Sequence, residues 1–582
     1  MILQALYQYY EAMLQQGKIS APGWNRDFKV SFLLEIDDSG ALIDVVDNRN
    51  SQARGKKQVL LPGAMCVPAH VPRSSGIAAN FLCDNATYIL GADDKGKPAR
   101  AKECFAACAA LHHELLDEVD TKAAHAVLAF FDRWQPEQAA EHPLLKERWG
   151  ELCSNANLVF CYDYNGKRAS VTEDPAIQAA WQRHYQAGDP DAVRAQCLIT
   201  GKTEPIARTH PAIKGVRGAQ SSGASLVSFN APAFCSYGRE QGANAPVGEY
   251  AAFAYTTALN ALLADGEQRQ TLGDTTVVCW SENPAPAYAD LGMAALFGAQ
   301  DDPGIREEDV GRVLRQLANG ESADWLDQTL RPDQHLYFLG LAPNAARLSV
   351  RFFLRDSLGR FAAHIRMHEQ GLEMIRPSFD PRKRLTLWDL IRADGKYDPP
   401  APQLAGDLLR TVLTGGRYPA TLLNGVTLRI RAERDVTRGK AAILKAYYTR
   451  NVTKSCPKEV LTVELNEQSA YLPYVLGRLF SVLEAIQSAA NPGINTTIKD
   501  KYFKSACETP AIVFPSLLKL VQKHLKKLDT GAVVYNDRQL AELIGRISQP
   551  FPQRLTLAEQ GAFEIGYYHQ TQKRFEKKNK EV

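Results

Sequence analysis

The stretch DGKYDPPAPQ, residues 394–403, carries three prolines and separates two regions of different periodicity. Proline fixes φ and has no backbone N–H, so such a stretch is typical of a boundary between domains. A single hydrophobic core stops growing at about 250 to 300 residues. The chain has 582 residues, and we therefore predict about two to four domains.

Residues 1–150 show signals of both helix and sheet. The first residues have apolar side chains at helical spacing, and FKVSFLLEID (28–37) and ALIDVVD (41–47) flank the turn signal DSG, which predicts a hairpin. Helical patterns follow at 99–117 and 120–132. We predict an N-terminal α+β domain over 1–150.

Residues 151–395 are predicted to form a middle α+β region. It contains a helix at about 249–263, the buried strand TTVVCW and two strands within 335–357. Beyond the linker, apolar residues at helical spacing in 467–490 and 517–528, and a T-x-x-E capping box at Thr556, predict helices. We expect 404–582 to be a basic helical bundle, and the fold class to be α+β.

Basic residues are concentrated in the C-terminal third. Residues 401–455 hold ten Lys or Arg against three acids, and residues 499–582 hold fifteen against nine. Clustered cations bind the phosphates of nucleic acids without reading sequence. A solvated helical surface is an equally good interpretation of the charge alone.

The composition is that of a globular protein. The start lacks the basic and continuous apolar segments of an export signal, and no apolar run approaches the roughly 20 residues of a membrane span. Eleven scattered cysteines, several within apolar runs, are typical of a reducing compartment. We expect a cytoplasmic protein.

Catalytic and metal-binding signatures are weak. The phosphate-loop patterns at 196–203 and 218–225 each lack a required residue, and there is no HExxH, G-x-S-x-G or C-x-x-C pair. Cys104, Cys108 and His112 are spaced to share one face of a helix, but the sequence CFAACAALHH favours packing over zinc binding. No residue is a strong candidate for catalysis, and we predict no cofactor and no metal.

Several long strings resemble one protein family. The span from Cys197 to Pro246, followed by EYAAFAYTTALNALL and GDTTVVCWSE, is similar to the large subunit of type I-C CRISPR surveillance complexes (Cascade). The likeness continues in GIAANFLCDNATYILG (76–91), LGLAPNAARLSVRF (339–352), YVLGRLFSVLEAIQ (474–487) and FEIGYYHQTQ (563–572). It covers nearly the whole chain.

The resemblance implies a subunit without catalytic activity. Its partners would be the CRISPR RNA, target double-stranded DNA, the handle-binding, backbone and small subunits of Cascade, and a recruited helicase-nuclease. It would read the protospacer-adjacent motif in duplex DNA, stabilise the R-loop and its displaced strand, and leave target pairing to the guide. The middle region, 151–395, would serve as scaffold and as the interface with the guide handle and the other subunits, and the C-terminal bundle would resemble the small subunit.

Three groups of residues are predicted to contact nucleic acid or partner subunits. The loop HVPRSSGIAAN offers Arg73, Ser74, Ser75, Gly76 and Asn80 for motif reading in a groove, although a plain surface turn has the same composition. For the guide handle, DNA or partner interface we expect Lys214, Arg217, Arg239, Gln241 and Asn244. For the displaced strand we expect Arg429, Arg431, Arg434, Arg438, Lys440, Lys523, Lys526 and Lys527.

The segment SLVSFNAPAFCSYGREQGANAP (225–246) is predicted to be a large ordered loop anchored by Phe229, Phe234 and Tyr237, with scaffold packing as the alternative role. Two other functions stay open for the whole chain. One is a stand-alone, metal-dependent enzyme that acts on nucleic acids, and the other is an assembly scaffold that does not contact DNA.

Overall fold

The computed structural model describes residues 2–54, 57–71, 73, 76–92, 96–154, 156–187, 192–298, 306–394, 403–451 and 456–575. About half of the chain is helical and 18% is strand, with several small sheets and a helical C-terminal region. The predicted α+β fold is therefore confirmed.

The helices and strands of the described residues are numbered in chain order. The helices are α1 (Ile2–Gln15), α2 (Ala86–Ile89), α3 (Pro98–Leu116), α4 (Lys122–Arg133), α5 (Trp149–Cys153), α6 (Pro175–Ala187), α7 (Glu249–Ala264), α8 (Pro286–Phe297), α9 (Glu307–Ala318), α10 (Leu358–Leu372), α11 (Leu387–Asp394), α12 (Leu404–Thr414), α13 (Ala420–Glu433), α14 (Arg438–Arg450), α15 (Leu472–Ala490), α16 (Ile498–Glu508), α17 (Pro510–Leu525), α18 (Thr530–Gly545) and α19 (Leu557–Lys573). The strands are β1 (Trp24–Val30), β2 (Phe32–Ile36), β3 (Leu42–Asp47), β4 (Arg49–Arg54), β5 (Lys57–Pro68), β6 (Cys83–Asn85), β7 (Asn157–Asp163), β8 (Arg168–Ser170), β9 (Arg194–Gln196), β10 (Thr203–Pro205), β11 (Arg269–Leu272), β12 (Thr275–Ser281), β13 (Ala323–Trp325), β14 (Gln328–Leu330), β15 (His335–Asn344) and β16 (Arg347–Ser357).

The chain forms two compact units that are not continuous in sequence. Unit 1 comprises Met1–Pro211 and Ser228–Ala258, and unit 2 comprises Ala212–Val227 and Leu259–Val582. The predicted linker falls mostly on residues 395–402, which lie outside the described residues. The division at residues 150 and 404 stays a prediction.

Unit 1 is built around a five-stranded sheet. Its central pair, β2 and β7, is parallel, β3 pairs with the other edge of β2, and β6 and β8 pair with β7. Phe32 and Phe160 from these strands pack in one buried cluster with Phe130 and Phe131 from α4. The predicted hairpin is confirmed by the antiparallel pairing of β2 and β3. The residues before it form β1, which pairs with β5 in a separate sheet.

Unit 2 combines a four-stranded antiparallel sheet, in the order β11-β12-β15-β16, with helices α8 to α19. One hydrophobic cluster runs from Leu272 on this sheet to Tyr568 on α19. The predicted strands at 275–280 and 335–357 are present. The helices predicted at 467–490 and 517–528 are also present, but α15 begins five residues later than expected and α17 begins seven residues earlier. The capping box at Thr556 also forms, with Glu559 as its partner.

Helices α15 and α19 cross at two glycines. A Cβ on Gly477 would lie 1.9 Å from the carbonyl oxygen of Phe563, and a Cβ on Gly566 would lie 2.3 Å from that of Tyr474. Neither distance leaves room for a side chain, so both glycines are required for the two backbones to approach this closely. Among the described residues, no helix has both the length and the apolar character needed to cross a membrane.

Candidate nucleic-acid interface

The Arg73 side chain is held by a buried carboxylate. Its Nη1 donates to Asp84 Oδ1 at 2.8 Å, Nη2 bonds to Asp84 Oδ2, and Nε donates to the Ala78 carbonyl at 2.5 Å. Asp84 is 2% exposed, and the Arg73 guanidinium carbon lies 3.8 Å from the centre of the Tyr88 ring. Arg73 therefore fastens its own loop to the body of unit 1.

Asn80 belongs to the same structural network. Its backbone N–H donates to Asp84 Oδ2 at 2.9 Å, and its side-chain Oδ1 accepts from the Val71 N–H at 2.9 Å. Asn80 is only 5% exposed, so it offers almost no surface to a DNA base as folded here. Gly76 is exposed with φ +88°, while Ser74 and Ser75 lie outside the described residues. Motif reading by this loop stays a prediction.

The Cys104, Cys108 and His112 group packs inside unit 1. His112 Nδ1 donates to the Cys108 carbonyl at 2.7 Å, and its Nε2 accepts from the Leu82 N–H at 2.9 Å. Burial lowers the pKa of His112 to about 4. Both ring nitrogens are thus used by the backbone. No group of three potential ligands suited to a metal ion occurs in the described part of the chain.

The loop at 228–246 is ordered by one amide side chain. Asn244 Oδ1 accepts from the Ser236 N–H at 2.9 Å, and Nδ2 donates to the carbonyls of Arg239 and Gln241 at 3.1 and 3.0 Å. Gly242 fastens the loop to the preceding segment, because its N–H donates to the Arg208 carbonyl at 2.9 Å. The prediction of an ordered loop agrees with these bonds.

The loop presents aromatic and basic side chains that its network leaves at the surface. Tyr237 has φ +55° and is 98% exposed, Phe234 is 45% exposed, and Arg239 is exposed. The expectation that Tyr237 anchors the loop is wrong, because its ring packs against almost nothing within the chain. Of the residues predicted here, Arg239 is available to a partner, whereas Asn244 is engaged within the loop and Gln241 accepts from Arg208 Nε at 2.5 Å.

Lys214 and Arg217 lie in unit 2, and hydrogen bonds from their backbone N–H groups hold both residues in place. The Lys214 N–H donates to Asn260 Oδ1 at 2.8 Å, and the Arg217 N–H donates to Thr276 Oγ1 at 3.1 Å. Both residues are exposed. The second predicted group is therefore divided between the two units, since the loop that carries Arg239 belongs to unit 1.

Arg438 and Lys440, in the first turn of α14, are directed into the fold. Arg438 donates to the carbonyls of Arg382 and Lys383 at 2.5 and 3.0 Å and lies 3.3 Å from Asp380 Oδ2. Lys440 bonds to the Glu433 carboxylate and to the Asp435 carbonyl. They are 7% and 2% exposed. Their burial leaves little surface for a displaced strand, and we exclude them from the interface proposed below.

The other six cations predicted to meet the displaced strand differ in their availability. Arg429 pairs with Glu433 at 2.9 Å, and Arg431 donates to Gln560 Oε1 at 2.6 Å. Three exposed cations make no ion pair among the described residues, and Lys527 is exposed but donates to Asn491 Oδ1 at 2.8 Å. The three are Arg434, Lys523 and Lys526.

Part of the basic surface around α17 was not predicted from the sequence. Lys519 and Lys523 lie on α17 at i and i+4, and Lys526 is its C-cap at i+7, so the three lie on one face of the helix and its C-terminal end. Lys501 and Lys504 are exposed on α16, which packs against α17. Helical spacing within LLKLVQKHLKK was a signal that could have identified this face.

The comparison with family models decides the identity. The model of the CRISPR-associated protein family Cas_Csd1 matches residues 6–575. The chain belongs to this family. It is therefore a CRISPR-associated component of Cascade, and the other Cascade subunits are plausible partners of this Csd1 protein. No curated protein matches the chain.

Proposed function

We propose that this Csd1 protein is the large subunit of a type I-C CRISPR surveillance complex. It recognises the protospacer-adjacent motif in target duplex DNA, stabilises the R-loop and helps to recruit a helicase-nuclease, without breaking bonds itself. The match of one CRISPR-associated family over residues 6–575 is the observation that carries this proposal.

The charge distribution of unit 2 supports a contact with single-stranded DNA. Lys519, Lys523 and Lys526 form one exposed face of α17 without ion pairs among the described residues. Unpaired cations exchange their counterions for phosphates, which gives affinity that does not depend on sequence. We assign the displaced strand to this face, together with Arg434.

Purification of the complex from its native cytoplasm, through a tag on this chain, tests the proposed role as a Cascade subunit that recognises the motif. A guide RNA and the other Cascade subunits should co-purify, and the complex should crosslink to duplex DNA that carries the motif. The same duplex with a scrambled motif is the matched control. Loss of discrimination between the two duplexes contradicts motif recognition, and the absence of any crosslink to this chain favours a pure scaffold.

A nuclease assay separates this proposal from a stand-alone enzyme. The isolated chain is incubated with Mg²⁺ or Mn²⁺ and with single-stranded and duplex DNA and RNA, and we expect no cleavage. Robust cleavage that disappears on changing one carboxylate of this chain would overturn the proposed division of labour.

A further inference from the structure

A pocket of about 410 Å³ in unit 2 is lined by more cations than acids. Its charged lining consists of Arg376, Lys383, Arg384, Arg438, Glu369 and Glu373. Leu372, Met374, Leu385 and Val463 supply apolar walls. We refer to it as the Arg438 pocket. Lys383, Arg384 and Arg438 each pair with a carboxylate, that of Glu308, Glu369 and Asp380 respectively. Arg376 makes no ion pair among the described residues, and this cation favours an anionic ligand.

Two of these guanidinium groups have an unused donor. The Nε atoms of Arg384 and Arg438 are buried and have no hydrogen-bond partner. Arg438 is 7% exposed, and its other two nitrogens are held by the carbonyls of Arg382 and Lys383 and by Asp380. A buried donor without an acceptor costs free energy, so an anion that accepts from it would bind favourably.

The pocket is built by elements that hold its lining in place. Lys445 Nζ donates to the carbonyls of Gln370, Gly371 and Glu373 at 3.3, 3.0 and 2.6 Å, which fixes the end of α10. Tyr568 Oη donates to the Ile375 carbonyl at 2.6 Å. Because these contacts come from α14 and α19, the lining is organised before any ligand arrives.

An exposed aromatic side chain, Phe379, lies three residues after Arg376 in the sequence. The Asp380 N–H donates to the Pro377 carbonyl at 3.0 Å, which closes a turn with Phe379 at its third position. Pro377 and Asp380 are buried, whereas the Phe379 ring is 86% exposed. Asp380 also contacts Arg438, so the turn is coupled to the pocket. An exposed aromatic ring close to basic side chains is typical of proteins that bind single strands.

We propose that the Arg438 pocket binds a phosphate of a single-stranded nucleic acid whose neighbouring base stacks on Phe379. The Nε donors of Arg384 and Arg438, together with the Arg376 guanidinium, suit a phosphate, because a phosphate accepts from several donors at once. The exposed ring accounts for a base, since every base offers a face for stacking. The proposal rests on the proposed function, because the strand would come from the target or the guide.

Fluorescence anisotropy with a labelled oligothymidine and the full-length chain tests this proposal. We choose Arg376→Gln and Phe379→Ala because Arg376 has no carboxylate partner among the described residues and both side chains are exposed. Arg376→Gln should weaken binding and lower the salt slope, d log K/d log [salt], by about 0.7 in magnitude. Phe379→Ala should weaken binding about 5-fold or more and leave the slope unchanged.

Matched controls address general charge and apolar effects. Arg410→Gln removes an exposed cation outside the pocket, and Leu428→Ala removes an apolar side chain that is 64% exposed. Both should bind the oligonucleotide as the unchanged chain does. An abasic oligonucleotide should bind the unchanged chain and Phe379→Ala equally, because it has no base to stack.

Binding of Arg376→Gln and Phe379→Ala within twofold of the unchanged chain would overturn the proposal. So would displacement of the oligonucleotide by polyglutamate more readily than by unlabelled oligothymidine of equal charge, which would indicate an acidic protein partner. Thymidine monophosphate and inorganic phosphate, tested at matched ionic strength, should compete only weakly. Tight binding of either would indicate that the pocket holds a small free ligand, and would contradict the proposal that it binds a nucleic-acid strand.

Motif-containing duplex, tested in the assembled complex, keeps the two proposals distinguishable. If discrimination of the motif is intact while neither variant changes oligothymidine binding, the pocket proposal fails alone. If discrimination is absent while both variants weaken oligothymidine binding as expected, the proposed motif recognition fails and the pocket is supported.

Discussion

The start of α14 and the end of α17 are both basic, yet the fold uses their cations in opposite ways. Arg438 and Lys440 are 7% and 2% exposed and bond to carboxylates and carbonyls, whereas Lys523 and Lys526 are exposed without ion pairs among the described residues. A charged group is buried only where the chain supplies acceptors for it. Local charge in the sequence therefore does not identify a binding surface; the position of acceptors distant in the chain does.

Removal of one buried cation should have the largest effect. Arg438→Ala leaves Asp380, which is 6% exposed, with one partner fewer and deprives the Arg382 and Lys383 carbonyls of their donors. We expect it to lower the free energy of unfolding by about 3 to 5 kcal/mol. Lys526→Ala, the matched change on α17, should stay within about 0.5 kcal/mol. Urea denaturation followed by circular dichroism measures both variants. Equal effects would contradict the distinction between the buried cations of α14 and the exposed cations of α17.

The pH dependence of stability tests the interior beside α14. Burial raises the pKa of Glu564 to about 8, against the lowering influence of Arg431 and Lys440. The ordinary pKa of this carboxyl group is 4.5, so the unfolded chain releases the proton at a lower pH than the folded chain does. The stability that Glu564 contributes is complete below pH 4.5 and is lost as pH rises towards 8, with a slope of about 1.4 kcal/mol per pH unit.

Glu564→Gln should flatten this pH profile, because an amide does not ionise. The side chain is 1% exposed and its Oε2 has no hydrogen-bond partner, so ionisation would place a charge where burial outweighs the attraction of Arg431 and Lys440. Glu542→Gln, on the exposed face of α18, is the control and should keep the slope. Urea denaturation at several pH values is the measurement. An unchanged slope in Glu564→Gln would assign the pH dependence to other groups.

A smaller effect is expected from the loop predicted to read the motif. Arg73→Ala removes the partner of the buried Asp84 carboxylate and should cost about 2 to 3 kcal/mol. Lys102→Ala breaks an ion pair whose Lys102 side chain is 72% exposed, and should have a much smaller effect on stability because water screens such a pair. Thermal unfolding compares the two variants. If Arg73→Ala reduces DNA binding but not stability, the side chain leaves Asp84 to contact DNA, which supports motif reading.

Local sequence patterns predicted much of the fold, because helices and hairpins depend on residues that are neighbours in sequence. The capping box at Thr556 and the turn before β3 are such signals, and both were predicted. The partner of Arg438 could not be found in this way, since Asp380 lies 58 positions away. Gly477 and Gly566 had no local signal either, because each is required by a helix that is distant in the chain.

The exposed face of α17 gives the last and smallest effect. Changing Lys523 and Lys526 together to glutamine should leave stability unchanged and weaken single-stranded DNA binding a few-fold. If each lysine meets one phosphate, the salt slope falls by about 1.4 in magnitude. Lys18→Gln with Lys458→Gln removes the same charge from other exposed positions and should not change the slope. An equal change of the salt slope in both double variants would mean that binding depends only on net charge. It would contradict the proposal that α17 is a defined contact surface.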